Sequence, residues 1–259
     1  MCRMAAYQGP VIALSQFITE PEHSLFVQSY MPQELVYAKV NADGYGIGWY
    51  DDDGAPASYV QPSPIWSDPN LDSLARSMHS GLWLANVRSA TAGLAVNHAN
   101  TQPFHDDELL FMHNGYIRGF SKGIRKTISS GLDSEVEAAI NGTTDSEYLF
   151  AMFRQKIMDD PELAFEDALL NIFEQLENWL GEQDALLNII LTDGELIYAV
   201  RHAINHACPS LYYTTDDENF PNGQLIASER MTDSDFWQPV PEHHILIMEM
   251  NQPAELVAI

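Results

Sequence analysis

The sequence is poor in cysteine and in positive charge. Its 259 residues include two cysteines, Cys2 and Cys208, which excludes a disulfide scaffold and a four-cysteine zinc site. Twelve Lys and Arg residues stand against 37 Asp and Glu residues, so the formal net charge is −25. Because a field of that sign repels phosphate groups, we expect neither nucleic acid nor an anionic membrane surface as a partner.

Long hydrophobic runs and linker-like segments are also missing. No stretch reaches the ~18 apolar residues that span a bilayer. The start, Met1-Cys2-Arg3-Met4-Ala5, lacks the basic and then apolar layout of a signal peptide, so we expect a cytoplasmic protein. No internal repeat or Gly/Ser linker interrupts the chain, and residues 1–259 are predicted to form one continuous domain.

The predicted elements run from strands through a helical pair to further strands. Helical spacing predicts one helix over residues 145–158 and a second that starts at Asp160-Pro161-Glu162. Apolar or β-forming segments closed by turns or polar residues predict strands at residues 2–8, 44–50, 82–87, 109–112, 186–191, 195–200, 211–215, 224–228 and 245–250. This order favours helices on the faces of largely antiparallel sheets.

Cys2 carries the most chemical information. Removal of Met1 would leave a thiol and a free α-amine on one residue. A thiol with a pKa near ~8.5 is only slightly ionised at neutral pH, and an α-amine with a pKa near ~8 can act as its base. Taken alone, a cysteine at this position is more often a small buried side chain of a first strand.

Two polar groups follow predicted strands and could serve the same chemistry. Arg88 follows an apolar strand in a chain with few cations, and its planar guanidinium can hold a carboxylate at two points. The alternative for Arg88 is a salt bridge to one of the many acids. The Asn114 amide and the Gly115 backbone N–H can together cradle an oxyanion. The alternative there is an ordinary Asn-Gly turn.

Asp145 opens the first predicted helix, in the segment Gly142-Thr143-Thr144-Asp145-Ser146-Glu147. Thr144 or Asp145 can cap the helix through a side-chain oxygen. A carboxylate at this place could also bind the ammonium group of a substrate.

In this order along the chain, the polar segments resemble class II glutamine amidotransferases. The resemblance covers roughly residues 2–150 and rests on Met-Cys-Arg at the start, Asn41-Ala42-Asp43-Gly44-Tyr45-Gly46-Ile47-Gly48-Trp49, Arg88-x-x-Thr91-x-Gly93, Asn100-Thr101-Gln102-Pro103-Phe104, His113-Asn114-Gly115 and Thr144-Asp145-Ser146-Glu147. It implies an N-terminal nucleophile hydrolase, an α+β fold with a four-layer αββα sandwich of two mostly antiparallel sheets. Residues 22–25 and 64–71 resemble the stand-alone branch, which includes the ergothioneine-pathway γ-glutamyl amidohydrolase.

The resemblance also implies roles for individual residues. Cys2 would be the nucleophile and its own α-amine the general base. Asn114 and the Gly115 N–H would form the oxyanion hole. Arg88 would bind the α-carboxylate of a glutamyl group and Asp145 its α-ammonium. Thr91 would support the same pocket.

Two features depart from the family pattern. Gln102 stands where the family often has His, and glutamine can donate a hydrogen bond but cannot carry a proton. The second is that the chain begins with Met1, and a retained methionine would bury the α-amine of Cys2 in a peptide bond.

The implied activity is hydrolysis of glutamine or a γ-glutamyl amide through a thioester on Cys2, releasing glutamate and ammonia or an amine. No metal or organic cofactor is expected, and the partner is a small γ-glutamyl molecule. We expect the residues after the resemblance to complete the fold and to leave no room for a synthase domain. The alternative is a non-catalytic subunit that binds an amino acid or supplies ammonia to a separate synthase. The sequence leaves open whether the chain forms a homo-oligomer.

The sequence gives weaker support for a metal site or a dinucleotide-binding loop. His202 and His206 have helical spacing with Cys208 nearby, but the strand predicted before them disfavours a metal site, and Cys208 is expected to be buried and inert. The glycines of residues 44–48 lack the following helix that a dinucleotide loop requires.

Overall fold

The computed structural model describes residues 2–34, 40–91 and 93–259. Its strands are β1 (Arg3–Ala13), β2 (Tyr45–Tyr50), β3 (Pro56–Gln61), β4 (His79–Val87), β5 (Phe104–His105), β6 (Leu110–Ile117), β7 (Ala185–Thr192), β8 (Leu196–Arg201), β9 (Ala203–Ile204), β10 (Tyr212–Thr214), β11 (Gln224–Ala227), β12 (Gln238–Pro239), β13 (His244–Glu249) and β14 (Glu255–Ala258). Its helices are α1 (Leu14–Ile18), α2 (Leu25–Tyr30), α3 (Leu71–Ser77), α4 (Ile124–Ser129), α5 (Ser134–Ala138), α6 (Asp145–Asp159) and α7 (Phe165–Leu180). None of the described helices has the length and apolar character to cross a membrane.

The strands form two antiparallel sheets. The first sheet has the order β12-β10-β11-β1-β4-β2-β3, and the second has the order β14-β13-β8-β7-β6-β5 with β9 beside β7. Strands β1 and β4 are neighbours at the centre of the first sheet, and Arg3 of β1 lies opposite Val87 of β4. In the second sheet β6 pairs along its whole length with β7, with Asn114 opposite Asn188.

Alternating side chains give each sheet two apolar faces. Met4 and Ala6 of β1 pack against Leu84 of β4 and Met112 of β6 between the sheets. The opposite face of the first sheet packs against α1, α2 and α3, and the opposite face of the second sheet packs against α6 and α7. The predicted four-layer αββα arrangement is confirmed.

The structure corrects three predicted boundaries. The first strand continues through Gly9-Pro10, with a shift in its register against β4 between Gln8 and Ile12. A bulge tolerates proline, which has no N–H to donate to the ladder. The second long helix begins at Phe165 and not at residue 160, because residues 160–164 form a turn. The strand predicted at 109–112 runs on to Ile117.

Other predictions hold. The helix predicted over 145–158 is α6, and its N-cap is Thr144, whose side chain accepts a hydrogen bond from the Glu147 N–H. The hairpin predicted at Asp193-Gly194 joins β7 to β8, and Gly194 has a φ of 95°, which a residue without Cβ adopts at no steric cost. The glycines of residues 44–48 lie at the start of β2 and along it, and not in a phosphate-binding loop.

Candidate active site

Cys2 lies at the end of the first sheet, immediately before β1. Since Arg3 pairs with Val87, Cys2 stands beside Arg88 of the chain that leaves β4. Its half-buried thiol donates to the Ser89 carbonyl oxygen over 3.9 Å. Cys2 and Met4 are two residues apart, and Met4 faces the space between the sheets. The structure therefore places the predicted nucleophile at the edge of the inter-sheet core.

Arg88 is a buried cation whose contacts are to backbone oxygens. Its Nη1 donates to the Asp43 carbonyl and its Nη2 to the Ala95 carbonyl, each over 3.3 Å. Among the described residues no carboxylate lies within ion-pair distance of it, so the salt bridge considered from the sequence is not formed. Burial lowers the pKa of Arg88, while Cys2 and Asp43 raise it. A buried guanidinium without a direct counter-ion favours an anionic ligand.

Asn114 lies inside β6, which rules out the Asn-Gly turn considered from the sequence. Two residues after Met112, it faces the gap between the sheets and is fully buried. Its Nδ2 donates to the Ser228 hydroxyl over 3.4 Å, and the same hydroxyl accepts from the Met4 N–H over 3.1 Å. Ser228 therefore joins Asn114 of the second sheet to the beginning of β1, two residues from Cys2.

The Gly115 N–H lies on the edge of β6 that faces away from β7. The N–H groups of alternate residues in a strand point the same way. On one side of Gly115 the His113 N–H donates to the Gln102 Oε1 over 2.5 Å, and on the other the Ile117 N–H donates to the Asp145 Oδ2 over 2.7 Å. The Gly115 N–H thus points to the same edge, between Gln102 and Asp145.

Gly115 also has to be glycine for packing. A Cβ placed there would come within 1.8 Å of the Leu186 carbonyl oxygen and 2.6 Å of the His113 Nε2. The missing side chain allows β6 to approach β7 closely.

Gln102 supports this edge through orientation. Its buried amide accepts from the His113 N–H and donates to the His113 carbonyl over 3.0 Å, so it pairs with β6 as a neighbouring strand would. A glutamine makes both bonds without carrying a proton. His113 itself faces the helical layer, with Nδ1 2.9 Å from the Ser146 hydroxyl and Nε2 2.8 Å from the Leu186 carbonyl, and burial lowers its pKa. The imidazole is therefore neutral and structural.

Asp145 occupies the first turn of α6, with Thr144 as the cap. Its two carboxylate oxygens accept from the Ile117 N–H and the Ser146 N–H. It lines a cavity of about 710 Å³ together with the exposed Thr91. Both residues that the sequence predicts to bind a substrate beside Arg88 thus border one open space.

The same cavity has walls that the sequence did not predict. They include Tyr116, Arg118 and Phe120, just after the Asn114-Gly115 pair, and His206. Arg118 pairs with Asp184, and its guanidinium lies over the Tyr116 ring at 5.4 Å. The closeness of Arg118 to Gly115 in a chain with twelve cations was the available signal.

Cys2, Arg88 and Asn114 lie outside the cavity wall. Ser89 accepts the hydrogen bond from the Cys2 thiol, and Thr91 lines the cavity two residues further along. The segment after β4 therefore runs from the thiol to the cavity. Met1 and Ala92 lie outside the described residues, and the removal of Met1 stays a prediction.

The histidines considered as metal ligands are not brought together. His202 lies next to His243, with 3.0 Å between their Nδ1 atoms, whereas His206 lines the cavity. The strands before them break the helical spacing. Cys208 is half-buried, where it was expected to be buried, and burial raises the pKa of its thiol, which makes it less reactive. It lies in a group with Glu242 and His243 whose donor atoms are within 4.8 Å of one another.

Comparison with known proteins decides the family. The model of the class II glutamine amidotransferases matches residues 24–256. The chain belongs to this family. Within class II amidotransferases it is 30% identical to a probable glutamine amidotransferase of Saccharomyces cerevisiae, over 96% of this chain and 82% of that one. It is also 28% identical to the gamma-glutamyl-hercynylcysteine sulfoxide hydrolase of Mycolicibacterium smegmatis, over 95% of both chains.

Comparison with solved structures supports the same family and fold. A class II domain protein from Silicibacter pomeroyi has a TM-score of 0.71 and 27% identity, and 99% of each chain is covered. The glutamine phosphoribosylpyrophosphate amidotransferase of Bacillus subtilis has a TM-score of 0.67 at 13% identity, covering 99% of this chain and 49% of that one. The second match shows the shared N-terminal nucleophile hydrolase fold.

Proposed function

We propose that this amidotransferase hydrolyses a γ-glutamyl amide through a thioester on Cys2. The observation that supports the proposal is that the Ser228 hydroxyl joins Asn114 of β6 to the Met4 N–H, two residues from Cys2, whose thiol lies beside the segment that carries Arg88. The start of β1 brings Cys2, the end of β4 brings Arg88, and β6 brings Asn114 with the Gly115 N–H. A nucleophile, a cation for a carboxylate and two oxyanion donors are the groups that amide hydrolysis through a thioester requires.

In the proposed first step, the Cys2 thiolate attacks the δ-carbonyl carbon of the substrate. The thiol proton passes to the α-amine of Cys2, which is free once Met1 has been removed. The carbonyl oxygen becomes an oxyanion that accepts hydrogen bonds from the Asn114 Nδ2 and the Gly115 N–H. The protonated α-amine then gives its proton to the leaving nitrogen as the C–N bond breaks, and a γ-glutamyl thioester remains on Cys2.

In the second step, water hydrolyses the thioester. The α-amine takes a proton from the water as the oxygen attacks the thioester carbon, and the same donors stabilise the second oxyanion. The C–S bond breaks, the sulfur recovers its proton, and glutamate leaves.

The glutamyl head group needs both signs of charge at the site. Arg88 offers a buried guanidinium for the α-carboxylate, and Asp145 offers a carboxylate at the cavity for the α-ammonium. A single cation would bind any anion, whereas the pair selects an amino-acid head. Thr91 lies at the same cavity wall.

We further propose that the leaving group is an amine larger than ammonia. One observation supports this: the relatives from Mycolicibacterium smegmatis and Mycobacterium tuberculosis are named gamma-glutamyl-hercynylcysteine sulfoxide hydrolases. A series of γ-glutamyl amides compared with glutamine, scored by glutamate release, measures this preference.

Cys2→Ala tests the nucleophile. The variant is expected to lose hydrolysis of γ-glutamyl-p-nitroanilide by at least ~1,000-fold, because it removes the thiol that forms the proposed thioester. The matched control is Cys208→Ala, which removes the second thiol and should keep wild-type turnover. Intact-mass measurement of the active enzyme should show loss of Met1.

Two results would contradict the proposal. Wild-type turnover by Cys2→Ala would remove the nucleophile, and full activity of a chain that retains Met1 would remove the α-amine as base. Trapping the acyl-enzyme by acid quench should add one glutamyl unit to the N-terminal peptide.

A further inference from the structure

A buried ionic cluster lies directly behind Cys2, and the mechanism above does not use it. Its centre is Glu229, whose side chain is 1% exposed. The two carboxylate oxygens accept four hydrogen bonds: from Arg3 Nη1 at 3.1 Å, from His23 Nε2 at 2.8 Å, and from the N–H groups of Gln33 and Glu34 at 2.8 and 3.0 Å. Every lone-pair direction of a carboxylate is thereby occupied.

Arg3 connects this cluster to Cys2. The residue is fully buried, and it points with Ala5 and Tyr7 to the face of β1 opposite the inter-sheet gap. Its Nε donates to the Cys2 carbonyl oxygen over 2.7 Å, while its Nη1 holds Glu229. One guanidinium therefore joins the nucleophile's backbone to a fully satisfied buried carboxylate.

The electrostatics keep the pair ionised. Burial by itself raises the pKa of Glu229, but the hydrogen bonds from His23, Gln33 and Glu34 and the charge of Arg3 outweigh it, so that the pKa is lowered. Burial lowers the pKa of Arg3, and Glu229 opposes this effect. A buried ion pair costs desolvation energy that an apolar pair would avoid. Stability alone therefore does not explain why it is present, and a role in fixing the local geometry does.

The geometry at stake is that of a terminal residue. In the mature chain of the proposed mechanism, Cys2 has no preceding residue, and terminal residues are poorly ordered unless they are tied down. The pairing of β1 with β4 begins at Arg3, one residue too late to hold Cys2. The carbonyl of Cys2 is the backbone group that can anchor it without hindering the thiol or the α-amine.

We propose that Arg3 and Glu229 are positioning residues for Cys2. Resting on the function proposed above, this role is to clamp the Cys2 carbonyl from behind so that the thiol and the α-amine are held toward the substrate. The clamp also binds the backbone of Gln33 and Glu34, which joins the segment after α2 to the same carboxylate.

Arg3→Lys separates anchoring from charge. The ammonium of lysine can still pair with Glu229, but a single donor group at the end of the chain cannot reproduce the Nε bond to the Cys2 carbonyl. We expect kcat for γ-glutamyl-p-nitroanilide to fall by ~10- to 100-fold with KM within about threefold of wild type, because a misplacement of ~1 Å costs that much in rate. The pH of half-maximal kcat/KM should rise, since an α-amine that is no longer held beside the thiol deprotonates it less well.

Arg154→Lys is the matched control. Arg154 pairs through its own Nε with Asp106, at 2.9 Å and away from the proposed site, so the same chemical change there should leave kcat and the pH profile unchanged. Glu229→Gln is the second variant, with the shape kept and the charge removed. We expect it to lose thermal stability as well as kcat, because it leaves the Arg3 charge buried without a partner.

The outcomes separate this inference from the proposed function. Inactive Cys2→Ala together with Arg3→Lys of wild-type kcat and pH profile would overturn the clamp alone. Active Cys2→Ala would overturn the function on which the clamp rests. A folded Arg3→Lys with raised KM and unchanged kcat would also overturn the clamp, because it would place Arg3 in substrate binding.

Discussion

At the scale of single residues, the site combines a buried cation with a carboxylate that is already held by the backbone. Arg88 donates hydrogen bonds to two carbonyl groups, and its charge is not neutralised by a direct ion pair with any described residue. Asp145 is oriented by the Ile117 and Ser146 N–H groups and still borders the cavity. If the two side chains bind the glutamyl head group as proposed, their fixed positions reduce the entropic cost of binding.

Asp145→Asn should weaken substrate binding more than turnover. Asparagine keeps one oxygen for the Ile117 N–H but cannot attract an α-ammonium, and loss of a buried charge pair of ~2 kcal/mol corresponds to a rise in KM of roughly 30-fold. Steady-state kinetics with γ-glutamyl-p-nitroanilide measure the change. The control is Asp167→Asn in the first turn of α7, which changes the net charge equally. An unchanged KM would show that Asp145 serves only the fold.

His202 should make folding stability depend on pH. Burial, and then the neighbouring His243, lower its pKa from 6.5 to about 4. The unfolded chain therefore takes up a proton below pH 6.5 that the native protein refuses, and stability falls as the pH falls from 6.5 toward 4. Between pH 7 and pH 5 this contribution is about 2 kcal/mol.

Urea unfolding at the two pH values checks this effect. His202→Asn cannot titrate, so its free energy of unfolding should fall less than that of the wild type on going from pH 7 to pH 5. The comparison cancels the titration of the many surface acids. Equal pH dependence in both proteins would show that His202 is protonated at its ordinary pKa.

At the scale of elements, the site depends on one exposed strand edge. Beyond its pairing with β5, the edge of β6 presents a row of N–H groups. The Gln102 side chain binds the first, the Asp145 carboxylate binds the last, and the Gly115 N–H lies between them. Helix α6 and the segment before β5 therefore supply what a neighbouring strand would otherwise supply. The proposed oxyanion site is thus a gap in strand pairing whose two ends are covered.

The approach of β2 to this segment needs a glycine. A Cβ on Gly46 would come within 2.1 Å of the Gln102 carbonyl oxygen. We expect Gly46→Ala to lower the free energy of unfolding by about 2 to 3 kcal/mol, the usual cost of overpacking. Chemical denaturation measures it, with Gly131→Ala as control, because a Cβ at Gly131 meets only an ordinary contact of 3.5 Å. Equal stability of the two variants would contradict the close approach.

At the scale of the whole molecule, the net charge of −25 dominates. Self-repulsion of such a surface destabilises the compact state and is screened over ~10 Å at 0.1 M salt. We expect sodium chloride to raise the Tm by on the order of 5 °C, with a plateau near ~0.5 M where screening is nearly complete. A Tm that is constant or falls with salt would contradict this expectation. A rise without a plateau would indicate ion-specific hydration.

The sequence by itself determined the chemistry and the layers. Cys2, Arg88, Asn114-Gly115 and Asp145 could be predicted as site residues because each follows or opens a predicted element and because their order along the chain is specific to a family. The alternation of apolar residues in the strands and the spacing in α6 were local signals, since they depend on neighbours within a few residues.

Tertiary structure decided what those residues contact. His113-Asn114-Gly115 was expected beyond a strand end and lies within β6, since pairing with β7 overrides the local turn preference of Asn-Gly. The bonds from Gln102 to His113, from Ser228 to Asn114 and from Glu229 to Arg3 join positions 11, 114 and 226 residues apart. No local pattern encodes such pairs, because they form only when the tertiary structure brings distant segments within hydrogen-bond distance.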